Sequence, residues 1–346
     1  MPEIFDSGWA RRLFECLKKN FEVSAVTAGT MGETAVFDNF MEANVKVDRR
    51  KPSELLREIS NWTDGVIIAT YTPSSKKSHA FCWHLSRAST KPLVEVEAKS
   101  GVVIPWNTNS ESLATSISKI VGLKIEFPPK FGRTEWVQDG IKYRKILGVD
   151  VGDYVLVNKV VIGKATSEEV ILAENNGFLT NVQGLELKIG GLKKLHKSGK
   201  IDIRKVTVDT TTSLRSTYKE PRIVNTPNRR GVVFIDHMGY NVYDLAQGVE
   251  GAVVVGDDTT AIVGDLLFRL QVPIIGITDG DADGLLSRRH ISPRSLVIVV
   301  KDDDSAGAKI FREIFKQKTK IPIKIDQVKD KILKLLENNI IKVLKK

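Results

Sequence analysis

The chain has 346 residues, 42% hydrophobic and 27% charged, with a formal net charge of +10. That composition fits a soluble protein of two or three domains with ample chain to bury a core. No apolar run approaches the roughly 20 residues that span a bilayer. The first residues lack the basic start and apolar stretch of a signal peptide. The two cysteines, Cys16 and Cys82, exclude a disulfide framework. A cytoplasmic setting without a membrane partner is expected.

Residues 1–125 alternate helical and strand patterns. A helix is predicted over 7–20, with Trp9, Leu13 and Leu17 on one face. Strands are predicted over 22–27, 65–70 and 92–97, and helices over 52–61, 76–88 and 109–121. Strands separated by helices predict a Rossmann-like α/β layered domain with a parallel sheet. The chain opens almost directly on a helix, so a first strand common to such folds is expected to be missing or replaced. Between strand and helix, Gly29, Thr30 and Gly32 form a polar turn whose backbone N–H groups suit a phosphate. The turn is neither a P-loop nor the dinucleotide fingerprint. A second polar loop, Tyr71 to Lys77, suits an anion. His79, Cys82 and His84 lie close in sequence, but a helix points such neighbours to different faces. They read as core and surface, not as a zinc site.

Residues 126–209 form a separate pattern of short extended runs, at 154–157, 160–163 and 169–173. Asn176-Gly177 suits a tight hairpin, because both residues tolerate positive φ. Gly190-Gly191 reads as a further turn. A small β-rich domain is predicted here, followed by a linker over 210–230. A second α/β domain is expected over 231–346, with acidic strand ends and a basic terminal helix.

Three apolar runs in that last part each end in aspartates. Gly251 to Gly256 leads to Asp257, Asp258, Thr259 and Thr260. Pro273 to Thr278 leads to Asp279, Asp281 and Asp283. Ser295 to Lys301 leads to Asp302, Asp303 and Asp304. Short unbroken apolar runs suit strands buried on both faces, and open parallel sheets bind ligands at their carboxyl ends. Side by side, the three clusters would repel one another unless a hard cation neutralised them. Asp257, Asp258, Asp279, Asp281 and Asp283 are the candidate ligands of Mg²⁺ or Mn²⁺, and Asp257, Asp279 and Asp281 the candidate catalytic set. Thr259 and Thr260 are candidate phosphate donors at a helix start. Arg269, Arg288 and Arg289 are candidate counter-charges.

Each cluster also has a structural reading. Asp258 or Thr259 suits a helix cap, as does Asp304 or Ser305. Asp279 to Gly284 suits an Asx-rich turn. The spacing Asp279, Asp281, Asp283, Gly284 matches the opening of a calcium-binding EF-hand loop. His290 stands where that loop needs a bidentate Glu, which excludes it. Asp236-His237-Met238 adds a candidate acid or ligand at a fourth strand end.

From Arg312 onward, eleven Lys/Arg face four Asp/Glu. Ile325, Val328, Ile332, Leu335, Leu336, Ile340 and Val343 recur at helical spacing, predicting a docked terminal helix with solvated lysines. Nucleic acid is the polyanionic partner such a surface would attract, although no interleaved aromatics support base stacking.

Pro2 to Gly8, Ala28 to Gly32, Val161 to Thr166, Gly256 to Thr260 and Ile275 to Asp281 together resemble a conserved archaeal family of unknown function, familiar from methanogens. In such relatives a strand and a His-Gly precede the Pro-Glu motif. The acidic motifs are more loosely similar to Toprim catalytic domains, which hold magnesium for phosphoryl transfer. That similarity implies a first acid at Asp257 or Asp258 and a pair at Asp279/Asp281 or Asp281/Asp283. The first acid here is Asp rather than the usual Glu. Asp281 to Gly284 also echoes the Asp-His-His phosphoesterases, but Asp236-His237 precedes it rather than follows.

The expected function is a metal-dependent phosphoryl-transfer or phosphoester-hydrolysing enzyme acting on a nucleotide or nucleic acid. The alternative is a non-catalytic module that binds a nucleotide, metabolite or nucleic acid, with a structural metal or none.

Overall fold

The computed structural model describes residues 2–158, 160–197, 199–210, 219–224, 227–236, 241–280 and 290–345. The side chains of Asn181 and Asp258 also lie outside the description. The chain is a mixed α/β protein that divides into two compact units, residues 1–218 and 219–346.

The first unit begins α1 (Glu3–Asp6), α2 (Trp9–Lys18), β1 (Ala25–Ala28), α3 (Thr30–Asp38), β2 (Val45–Asp48) and α4 (Pro52–Ile59). It continues β3 (Val66–Thr70), α5 (Ser75–Ser86), β4 (Leu93–Glu97), β5 (Val102–Pro105), α6 (Glu111–Val121) and β6 (Lys124–Ile125). The expected elements are there, but the single parallel sheet is not. Among the described residues β1 and β2 pair only with each other, in parallel. A separate sheet runs β3-β4-β5-β6, and its β4–β5 pairing is antiparallel. Only four residues, Ala98 to Gly101, join β4 to β5, too few for the crossover a parallel pair needs. In α2, Leu13 and Leu17 are buried as their spacing predicts.

The β-rich residues belong to this same unit. They comprise β7 (Glu135–Gln138), β8 (Ile141–Ile146), β9 (Tyr154–Val157), β10 (Val160–Ala165), β11 (Val170–Asn175), β12 (Phe178–Gln183), β13 (Leu185–Leu187), α7 (Ile189–Lys197) and β14 (Val208–Thr210). Two four-stranded antiparallel sheets, β13-β10-β9-β14 and β12-β11-β8-β7, share one apolar core around Val155, Ile162, Leu172 and Ile203. Asn176 (φ 51°) and Gly177 (φ 91°) make the expected tight turn between β11 and β12. Gly190 and Gly191, read from sequence as a turn, instead lie inside α7. There the bare face of Gly191 lets the helix rest on the carbonyl of Val161. Lys77 of α5, nearly buried, bridges Asp150 (3.0 Å) and Asp153 (2.7 Å) and so ties the β-rich residues to the first helices.

The second unit contains β15 (Val232–Asp236), α8 (Val242–Leu245), β16 (Gly251–Val255), α9 (Asp257–Phe268), β17 (Ile274–Thr278), β18 (Leu296–Val300), α10 (Asp303–Glu313), β19 (Lys320–Ile321), α11 (Ile325–Leu336) and β20 (Ile340–Lys345). One six-stranded sheet has the order β19-β15-β16-β17-β18-β20. Its four central strands are parallel and both edges antiparallel. Val232, Val253, Ile275 and Ile298 pack under α10 and α11 on one face. The alternate residues of those strands turn to the other face, where α9 lies against β17. Burial on both faces explains the continuous apolar runs.

The tail differs from its expected single helix. α11 buries Ile325, Val328, Ile332 and Leu336 as predicted. Residues 340–345 instead form β20, with Val343 opposite Ile298 and Leu344 opposite Val297. Pairing with β18 satisfies that strand's outer backbone groups, which a longer helix would have left open.

Candidate functional site

Because β16, β17 and β18 are neighbours in the sheet, their carboxyl ends lie side by side. Each delivers an aspartate there: Asp257 opens α9, Asp279 follows β17 and Asp303 opens α10. One carboxylate oxygen from each of the three lies within 4.8 Å of the other two. Asp303 is buried, Asp257 half-buried and Asp279 exposed, so the cluster grades from the core to solvent.

Local geometry brings these groups together. Gly256 takes φ 102°, and its N–H donates to Ile277 O (2.9 Å), turning the chain from β16 straight into α9. The helix therefore starts at Asp257 with no side-chain cap. Neither Asp258 nor Thr259 stands in the capping position that sequence allowed. At α10 the cap is Asp302, which accepts from Ser305 N (3.0 Å) and Ser305 Oγ (2.7 Å). Asp304 and Ser305, the caps read from sequence, are inside the helix. Capping thus occupies Asp302, and Asp303 is the group that joins the cluster.

Two bare backbone positions set the depth of these helices. A Cβ on Gly276 of β17 would stand 2.3 Å from Thr260 Cγ2 of α9. One on Gly307 of α10 would stand 2.8 Å from Val255 Cγ1 of β16. The positive ends of the helix dipoles of α9 and α10 both favour the clustered negative charge.

Other candidates fall elsewhere. Thr259 is half-buried, whereas Thr260 is wholly buried over Gly276, its hydroxyl without a hydrogen-bond partner among the described residues. Arg269 stands at the opposite end of α9. Its guanidinium is 3% exposed and bonds Asp265 O (2.6 Å) and Oδ2 (3.2 Å). A twelve-residue helix is about 18 Å long, so Arg269 is a core ion pair and not a counter-charge at the cluster. Asp281, Asp283, Arg288, Arg289, His237 and Met238 lie outside the described residues, as does the side chain of Asp258. Gly29, Thr30 and Gly32 belong to the first unit. There Gly29 donates its N–H to Asp48 O (3.3 Å), and Gly32 lies against Thr27.

Three carboxylate oxygens from three strand ends offer hard, oxygen-only coordination, which suits Mg²⁺, Mn²⁺ or Ca²⁺ rather than a thiophilic ion. The class defined is a mixed α/β protein with an acidic cluster at the carboxyl edge of a largely parallel sheet. The chain belongs to the family described as "Uncharacterized protein conserved in archaea (DUF2117)", whose model matches residues 1–318. It is 37% identical over 321 residues to the uncharacterized protein MJ0065 of Methanocaldococcus jannaschii, covering 88% of this chain and 87% of that protein. No solved structure matches. Among the described residues no helix is long and apolar enough to cross a membrane.

Proposed function

We propose that the protein is a Mg²⁺- or Mn²⁺-dependent cytoplasmic enzyme that transfers or hydrolyses a phosphoryl group on a nucleotide or nucleic acid. The observation that carries this reading is the convergence of Asp257, Asp279 and Asp303 at three adjacent strand ends. The second unit would act as a Rossmann-like platform, and the cluster would serve in a Toprim-like manner. Asp257 and Asp279 would hold the ion from α9 and β17, with Asp303 as the buried third ligand. Asp258, Asp281 and Asp283 follow the same strand ends in sequence and are proposed as further ligands. A divalent ion there would polarise phosphate oxygens and acidify a bound water. Thr259, in the first turn of α9, is suited to position a phosphate oxygen at the helix start.

The test is turnover of nucleotides and short single-stranded RNA or DNA with Mn²⁺, by wild type and Asp279→Asn. Metal-dependent product from wild type alone supports the reading. Turnover that persists unchanged in Asp279→Asn or without metal counts against it.

A second reading is favoured by the exposed Lys316, Lys318, Lys320, Lys331, Lys334, Lys342 and Lys345 of the second unit. It is a nucleic-acid-binding module without catalysis. Its signature is binding that weakens steeply with salt and survives Asp279→Asn.

A further inference from the structure

Glu95 lies within β4 and is fully buried. Its Oε1 accepts from Thr70 Oγ1 of β3 (3.0 Å), and its Oε2 accepts from the indole Nε1 of Trp106 (2.9 Å). From α5, Ser78, His79 and Cys82 face the same carboxyl group. His79 supplies the basic side chain. Its Nε2 is buried without a hydrogen-bond partner among the described residues, and its ring lies 6.1 Å from that of Trp106. Glu97, two residues along, is also buried but is occupied by the backbone N–H groups of Ser100 (2.7 Å) and Lys99 (3.3 Å). Glu97 thus closes a turn, whereas Glu95 accepts from the side chains of Thr70 and Trp106.

The indole held by Glu95 also reaches outward. Trp106 stacks on Phe131 (6.3 Å, 13°), and Phe131 meets Trp83 (5.4 Å). Phe131 lies in the connector, residues 126–134, that leads from β6 into β7. One buried carboxyl group is therefore linked through one indole to the segment that enters the β-rich sheets.

We propose that Glu95 and His79 form a proton-responsive lock on Trp106 and, through its stack on Phe131, on the connector. The uncharged carboxyl group fits this buried site. Burial pushes Glu95 above the ordinary carboxylate range, against the opposing pull of His79 and of the bonds from Trp106, Ser78 and Thr70. A proton is therefore kept in the folded state at pH values where the unfolded chain releases it. The stabilisation is complete below the ordinary carboxylate value and is lost as pH rises through the folded one. Cys82, whose thiol can be only neutral or negative and is kept neutral by burial, offers no compensating charge, and Glu97 is the other acidic residue buried in β4. Ionised Glu95 therefore draws His79 toward itself, moving the imidazole relative to Trp106 and loosening the stack on Phe131.

The test is amide hydrogen exchange of residues 126–134 from about pH 5 to 8, referenced to intrinsic exchange at each pH. Protection in wild type is expected to fall by about tenfold across that range and to stay level in Glu95→Gln. Level protection in wild type, or an equal fall in Glu95→Gln, overturns the proposal. Should Glu95→Gln not fold, His79→Gln decides. Without the imidazole, ionisation of Glu95 becomes harder and the fall moves to higher pH, whereas an unmoved fall overturns the lock.

Discussion

Gly276 of β17 lies directly beneath Thr260 of α9, so close that a methyl group at 276 would meet Thr260 Cγ2 at 2.3 Å. That contact fixes how deeply α9 beds on the sheet and hence where Asp257, one turn earlier, meets Asp279. Gly276→Ala is expected to cost about 1–3 kcal/mol by overpacking. Adding Thr260→Ser removes the clashing Cγ2 and should restore most of the loss. Thermal unfolding of both variants measures this. An equal loss in the double variant would show that the contact does not set the helix.

Asp302 and Asp303 are adjacent but have separable roles. Asp302→Ala removes the cap of α10 and should cost about 1 kcal/mol while leaving Mn²⁺ affinity nearly unchanged. Asp303→Asn should do the reverse. Denaturant unfolding and Mn²⁺ titration on both proteins check the assignment, which fails if Asp302→Ala abolishes metal binding.

Much of this arrangement was legible in the chain. Runs such as Gly251 to Gly256 and Ser295 to Lys301 read as buried strands because both faces of β16 and β18 are covered, and Asp257 and Asp279 followed from them. Asp303 was ambiguous, since the residue types that ligate metal also cap helices. Only the geometry assigns capping to Asp302. Tertiary contacts overrode local signals elsewhere. Gly191 serves a close helix approach rather than a turn, and Ile340 and Val343 continue the helical spacing of α11 yet pair as β20. The short β4–β5 connection, which forces antiparallel pairing, carried no signal in hydrophobic pattern.

Lys77 is nearly buried between Asp150 and Asp153. Lys77→Met leaves two carboxylates facing an apolar side chain and should destabilise the first unit by about 3–5 kcal/mol. Replacing both aspartates with Asn in the same chain should recover part of that. Chemical denaturation of the three proteins decides, and a loss below about 1 kcal/mol would mean that water already screens the pair.

Glu174 of β11 titrates in the opposite sense to Glu95. Burial alone would raise its carboxyl group, but Lys142 (3.1 Å) and the backbone N–H groups of Gly177 (2.9 Å) and Ile203 (3.2 Å) outweigh it and hold it below the ordinary range. The stabilisation is present above the ordinary carboxylate value and is lost as pH falls through the folded one. Glu174→Gln should unfold more easily at neutral pH and show a shallower loss of stability on acidification. A variant as acid-sensitive as wild type would remove Glu174 from that role.

The central claim is that three strand ends form one cation site. Calorimetric titration of Mn²⁺ into wild type, Asp257→Asn, Asp279→Asn and Asp303→Asn, with thermal transitions recorded alongside, tests it most directly. Saturable binding in wild type is expected, weakened by at least about tenfold (near 1.4 kcal/mol) in each folded variant. No saturable binding in wild type, or equal affinity in all four proteins, would contradict it.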